Sequence, residues 1–112
     1  MTAYIDIDGT ICDSPDTRDY SKSTPIAKNI HRANEMFRAG VRIVYWTARG
    51  AKTGIDWKVL TEKQLAEWGV LYHELRFGKP DFDVFIDDKA LNARDWEAPR
   101  TEWKHAELLS ES

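Results

Sequence analysis

Ala3-Tyr4-Ile5-Asp6-Ile7-Asp8-Gly9-Thr10 is the stretch on which the reading of this chain turns. Ala3 to Ile7 is apolar, partly β-branched and aromatic, and it runs into the turn-forming Asp8-Gly9-Thr10. It predicts a buried strand that closes on a loop. Side chains alternate along a strand, so Asp6 and Asp8 point to one side while Ile7 points elsewhere. The two carboxylates therefore face one pocket.

The flanking sequence repeats this strand-then-loop pattern. Cys12 to Ser23 is polar, holds Pro15, and predicts a loop or small flap with the reach to close over a ligand. Thr24-Pro25 predicts a helix start, with Thr24 as N-cap and Pro25 at the first helical position. Ile26, Ile30, Ala33, Met36 and Phe37 then recur at helical spacing, and Gly40 supplies the stop. Val41 to Trp46 predicts a second strand, followed by Thr47-Ala48-Arg49-Gly50. A second helix is expected from about Trp57 to Trp68, with Asp56 as candidate N-cap and Gly69 at its end. Val70 to Leu75 predicts a third strand. Gly78-Lys79-Pro80 breaks the chain, and Phe82 to Ile86 predicts a fourth strand ending in Asp87-Asp88. A short helix over Ala90 to Arg94 and a helix or edge segment over Thr101 to Leu109 complete the expectation.

That order is the order of a mostly parallel α/β sheet, in a single domain over residues 1–112. In such sheets ligands sit beyond the carboxyl ends of the strands. The polar residues of interest all follow strands: Asp6 and Asp8 the first, Thr47 and Arg49 the second, Asp87 and Asp88 the fourth.

Bulk properties narrow the class. Hydrophobic residues make up 42% and charged residues 31% of the 112, an ordinary globular balance. The formal net charge of -3 argues against a broad nucleic-acid footprint, though not against a local basic pocket. A single cysteine, Cys12, allows no intramolecular disulfide and favours a reducing compartment. Acidic residues stand where a signal peptide is apolar, and no apolar run approaches the roughly 20 residues of a membrane span. A cytoplasmic protein without a membrane partner is expected.

Four clustered acids repel one another unless a cation lies among them. Oxygen donors without His or Cys favour a hard ion that keeps positions open for phosphate oxygens, which suggests Mg²⁺. Lys79 and Arg49 would neutralise a phosphate that the acids otherwise repel.

Asp6-Ile7-Asp8-Gly9-Thr10 resembles the first motif of the haloacid dehalogenase superfamily of phosphohydrolases. Thr47 after an apolar strand resembles the second motif, Lys79 in Gly78-Lys79-Pro80 the third, and Asp87-Asp88 the fourth. Order and spacing match over about residues 3–95. The resemblance implies a three-layer Rossmann-like fold and phosphomonoester hydrolysis through an aspartyl-phosphate. It implies Asp6 as nucleophile, and Asp8 as the acid that protonates the leaving oxygen and then activates water. It implies Thr47 as a donor to a phosphoryl oxygen and Lys79 as the partner of phosphate and nucleophile. Asp6, Asp8, Asp87 and Asp88 would hold Mg²⁺. Gly9, Thr10 and Arg49 are the candidate substrate contacts.

The segments after the first and second motifs are too short for the cap domain of larger members. The chain thus resembles capless members, whose open sites take bulky substrates or are closed by a neighbouring subunit; a homo-oligomer is one expectation. Trp46-Thr47-Ala48-Arg49 is similar to a subset with an arginine two residues after the threonine. That subset comprises small capsule-biosynthesis phosphatases and the 3′-phosphatase domain of phage polynucleotide kinase. A sugar or polyol phosphate of polysaccharide synthesis is the favoured small-molecule substrate, with a nucleotide or nucleic-acid 3′ end second. A receiver-like phospho-accepting module also combines acids, Thr and Lys. Its acidic pair comes first and its phosphorylated Asp later, however, without an acid two residues beyond the nucleophile.

Other conspicuous residues have plainer readings. His73 is expected as a satisfied, partly buried histidine, with substrate contact the alternative. Trp57, Trp68, Trp96 and Trp103 are expected in core or interface packing, and Cys12 as a small hydrophobe in the flap.

Overall fold

The computed structural model describes residues 1–96. Strand β1 (Thr2–Ile5) leads through the Asp8-Gly9 turn to β2 (Cys12–Asp13), which pairs antiparallel with β3 (Thr24–Pro25). Helix α1 (Ala27–Arg38), strand β4 (Arg42–Trp46), helix α2 (Lys58–Glu67) and strand β5 (Glu74–Arg76) follow. The main sheet is parallel, in the order β1-β4-β5. Its register sets Ile5 beside Tyr45 and Tyr45 beside Leu75. The described residues thus form an α/β arrangement built on a three-stranded parallel sheet with two α-helices. No helix among the described residues is long and apolar enough to cross a membrane.

Both helices end as their glycines predict. Gly40 has φ 96°; its N–H donates to Phe37 O at 3.1 Å, and the Val41 N–H to Met36 O at 3.0 Å. Gly69, at φ 69°, repeats this with Ala66 O at 3.2 Å and the Val70 N–H on Leu65 O at 2.9 Å. These paired bonds satisfy the last helical carbonyls and turn the chain back toward the sheet. Ile30, Ala33 and Met36 of α1 and Leu65 of α2 then reach a core with Ile5, Ile7, Ile11, Ile43 and Tyr45. Burying one such aliphatic side chain contributes about 1.5–3 kcal/mol.

The helix start differs from the expectation. Thr24-Pro25 forms β3, and α1 begins after Ile26, without a side-chain cap. Pairing with Cys12–Asp13, continued by the Ile26 N–H on Ile11 O at 2.8 Å, outweighs the local capping pattern. The expected flap is therefore anchored at its base by a two-stranded ladder, with a 3₁₀ turn at Tyr20–Lys22. The N-cap of α2 is Trp57, without a side-chain cap bond, and not the expected Asp56, which lies one residue earlier and accepts from the Lys58 N–H through its Oδ1 at 2.9 Å.

The expected fourth strand is not formed. Residues 82–86 make no ladder, and Val84, Phe85 and Ile86 are 70%, 54% and 90% exposed. Among the described residues the outer edge of β1 has no partner strand. Ala93–Asp95 forms a 3₁₀ turn near the expected short helix, and the expectations for Trp103 and for 101–109 lie outside the described residues.

Candidate active site

Three loops meet at the carboxyl ends of the three parallel strands. Asp6 and Asp8 follow β1, Thr47 and Arg49 follow β4, and Lys79 follows β5. The Thr47 N–H donates to Arg76 O at 2.9 Å, and the Lys79 N–H donates to Thr47 O at 3.1 Å. The β5 loop is thereby laid across the end of β4, and Lys79 Nζ comes within 3.3 Å of Asp6 Oδ2.

Asp6 Oδ1 accepts from the Ile7 N–H at 2.9 Å. Burial pushes the Asp6 carboxyl above its ordinary range, and the Lys79 ammonium opposes that shift without cancelling it. Asp6 is thus a partly buried carboxyl group facing one cation.

Asp8 is held differently. Arg49 Nε donates to its Oδ2 at 3.0 Å and Nη2 to its Oδ1 at 2.9 Å, a two-pronged pair. Ser14 Oγ also donates to Oδ1. Burial works to raise the Asp8 carboxyl, but the bonds from Arg49 and Ser14 prevail and hold it below the ordinary range. At rest Asp8 is therefore an ionised carboxylate.

Arg49, expected against substrate, is 3% exposed and engaged on every side. Nη1 donates to Thr61 Oγ1 at 3.0 Å and Gln64 Oε1 at 2.6 Å, and the guanidinium lies 4.7 Å from the Tyr20 ring centre. Here it is a clamp on Asp8, since a guanidinium that saturates a carboxylate has few donors left for a phosphate. Thr47 is fully buried, and its Oγ1 accepts from the Arg49 N–H at 3.1 Å, which leaves the hydroxyl proton as a donor. Gly9, at φ 81°, closes the turn with its N–H on Cys12 O at 2.8 Å. Thr10 O accepts from Asn29 Nδ2 at 2.8 Å, which pins that turn to α1.

Asp87 and Asp88 do not join this group. They are exposed, in a segment outside the sheet, and Asp87 Oδ2 accepts from the Lys89 N–H at 3.3 Å. Among the described residues no three His, Cys, Asp or Glu side chains gather to hold a metal ion. The four-acid set expected for Mg²⁺ is not assembled: Asp6 faces Lys79, Asp8 is saturated by Arg49, and the strand that was to carry Asp87 and Asp88 is not formed.

Sequence reasoning missed Ser14, Ser23, Thr61 and Gln64, which complete the polar cluster. Ser23 Oγ lies 2.6 Å from Ser14 Oγ, and Gln64 Nε2 donates to Tyr20 O at 2.6 Å. Thr61 and Gln64 sit three apart on the face of α2 that also buries Leu65, a polar pair on an inward face that signals a buried partner. His73 is satisfied as expected: its Nδ1 accepts from the Ile43 N–H at 3.0 Å, and its ring stacks on Phe37 at 4.6 Å, although the residue stays exposed. Trp96 is buried in the core and Trp68 packs against it. Burial drives the Cys12 thiol up to about 11, so it is an inert packing group.

Comparisons with known proteins add the fold and little else. No family model and no curated protein matches this chain. The crystal structure of an MCSG target from Vibrio cholerae is similar to it, with a TM-score of 0.75 and 25% sequence identity. That match covers 99% of this chain and 98% of the other, and the name of that protein states no activity.

Proposed function

We propose that this protein is a phosphomonoester hydrolase of the haloacid dehalogenase type, with a capless Rossmann-like fold and Asp6 as nucleophile. The observation that supports this reading is the convergence of Asp6, Asp8, Thr47 and Lys79 from three strand ends, with the Lys79 ammonium 3.3 Å from Asp6. A carboxylate nucleophile beside a cation and a hydroxyl donor is suited to phosphoryl transfer, where positioning and charge stabilisation carry most of the catalysis.

An Asp6 carboxylate oxygen attacks phosphorus as the bond from phosphorus to the ester oxygen breaks. The departing alkoxide takes its proton from Asp8, leaving an alcohol and an acyl phosphate on Asp6. Water then attacks that phosphorus, Asp8 takes its proton, and Asp6 and inorganic phosphate are released. Asp8 must gain a proton before the first step, which the resting Arg49 clamp opposes. The negative charge of an arriving phosphate raises its pKa and supplies the shift. Lys79 offsets the charge of the phosphoryl oxygens throughout, and the Thr47 hydroxyl donates a hydrogen bond to one of them.

By resemblance the substrate is a sugar or polyol phosphate of polysaccharide synthesis, and Mg²⁺ belongs to the reading on the same ground. The test is phosphate release from sugar phosphates, polyol phosphates and 3′- and 5′-nucleotides, with Mg²⁺ and with EDTA, for wild type and Asp6→Asn. Mg²⁺-dependent release that Asp6→Asn abolishes is the expected result. Turnover that survives in folded Asp6→Asn sinks the covalent route. The resting ionisation of Asp8 favours a second reading, a phospho-accepting module; acetyl phosphate labelling that persists on Asp6 without turnover selects it.

A further inference from the structure

Beside the candidate active site lies a cleft of about 120 Å³ between the flap and the loop after β4, lined among others by Arg18, Tyr20, Gly50, Lys52, Ile55 and Trp57. Its aromatic wall is Tyr20 set edge-on to Trp57 at 5.1 Å. The same Tyr20 ring lies under the guanidinium of Arg49, which clamps Asp8, so the ring and that guanidinium lie between the cleft and the Asp8 carboxylate.

Two cations line this cleft, one from each side. Lys52 Nζ lies 2.8 Å from Asp81 Oδ2, and Arg18 Nη2 lies 3.8 Å from the same oxygen. Asp81 comes two residues after Lys79, and two residues of chain span at most about 7 Å. Among the described residues Arg18 is the one non-glycine residue with positive φ, at 62°, a conformation its N–H secures by donating to Pro15 O at 3.0 Å. Strain of this kind concentrates at functional positions.

We propose that this cleft is a second anion site, and that the substrate is a small phosphomonoester carrying a further carboxylate or phosphate, which replaces Asp81 between Lys52 and Arg18. The proposal rests on the phosphatase reading for the first phosphate and adds the charge of the remainder. Asp81 acts as the internal anion that holds the two cations together and offsets their mutual repulsion. The aromatic wall takes the carbon frame of the substrate, and the polar loops at the mouth leave room for its hydroxyls.

The test compares affinities of Asp6→Asn protein, which does not turn substrate over, for two pairs of probes. Glycerol 3-phosphate against 3-phosphoglycerate reads an added carboxylate; fructose 6-phosphate against fructose 1,6-bisphosphate reads an added phosphate. The indole N–H resonance of Trp57 reports occupancy of the cleft. At least one doubly acidic probe is expected to bind about tenfold more tightly than its partner, a difference of about 1.4 kcal/mol, and to shift Trp57. Lys52→Met brings that ratio close to one, and Asp81→Asn increases it. Arg18→Gly also lowers it while relieving the positive φ, so its effect cannot be ascribed to misfolding. Equal affinities within both pairs, a ratio unmoved by Lys52→Met and Arg18→Gly, or a Trp57 resonance that never shifts overturns the proposal. Wild-type turnover separates it from its premise. Hydrolysis without discrimination leaves the phosphatase and removes the cleft; discrimination without hydrolysis does the reverse.

Discussion

Lys79 and Asp6 face each other at 3.3 Å although their strands are not neighbours, β4 lying between β1 and β5. The contact exists because the loop after β5 crosses the end of β4, tied down by the Lys79 N–H on Thr47 O. The charge state of the Asp6 carboxyl, set chiefly by burial, is thus tempered by a residue 73 positions away in the chain.

Burial raises the Asp6 carboxyl and Lys79 restrains it, so removal of the ammonium lets it rise further. In the proposed mechanism an ionised Asp6 is needed for attack. The acid limb of kcat/KM is therefore expected above the ordinary carboxylate range, and at still higher pH in Lys79→Met. A pH–rate profile of the two proteins checks this. A limb that stays in place, or moves to lower pH, refutes the assignment.

Arg49→Met leaves the Asp8 carboxylate partly buried without its two-pronged partner, and strands Thr61 and Gln64 as well. A loss of about 2–4 kcal/mol at pH 7 is expected in urea unfolding. The Asp8 carboxyl is depressed below 3.8 in the folded wild type. Its stabilising contribution is thus present above that pH and lost as pH falls through the folded value. The gap between wild type and variant should accordingly narrow between pH 5 and pH 2; a gap that widens there contradicts the ion pair.

Two glycines of similar φ should respond unequally to alanine. Gly9 and Gly50 both have φ of 81°, but a Cβ at Gly9 meets nothing within 4 Å, whereas at Gly50 it falls 2.2 Å from Ile55 O. Gly9→Ala should cost about 1 kcal/mol for its left-handed backbone. Gly50→Ala adds a clash with backbone and should cost at least about 2 kcal/mol, or force the 50–55 loop to move. Thermal unfolding of both variants decides; equal losses would show that the loop gives way freely.

Cys12 should be unreactive in the folded protein. It is fully buried and its thiol titrates at about 11. At pH 8 a disulfide reagent should label it only when the flap base opens, and urea should accelerate labelling by orders of magnitude. Rapid labelling of the native protein would mean that β2 and β3 are open much of the time.

The parts legible in the sequence are those decided locally. Gly40 and Gly69 announce the helix ends because a left-handed residue and two backbone bonds complete that structure within six residues. The run from Val41 to Trp46 is as readable, since a central strand is apolar on both faces. Phe82 to Ile86 is similarly apolar, yet a strand also needs a partner edge, and composition does not say whether one is reached. Thr24-Pro25 carries a good capping pattern that loses to pairing with residues eleven and thirteen positions away. That Asp6, Asp8, Thr47 and Lys79 gather at the strand ends could be expected from their place after strands and from the motif resemblance. That Arg49 grips Asp8 could not, because the pair is 41 residues apart and its other partners, Thr61 and Gln64, look like ordinary helix residues.

Arg49 belongs to no regular element, yet its side chain joins the β1 loop through Asp8, the flap through Tyr20 and α2 through Thr61 and Gln64. A guanidinium so enclosed cannot lose one neighbour without leaving the others facing a desolvated charge. The three segments are therefore coupled thermodynamically, and the pocket forms or dissolves as one unit, with no graded series of looser states. Hydrogen exchange should show it: the Ile26 amide at the flap base and the Thr61 amide in α2 are expected to open with the same free energy. A site built this way is insensitive to small fluctuations, and it fails all at once when its one buried cation is removed.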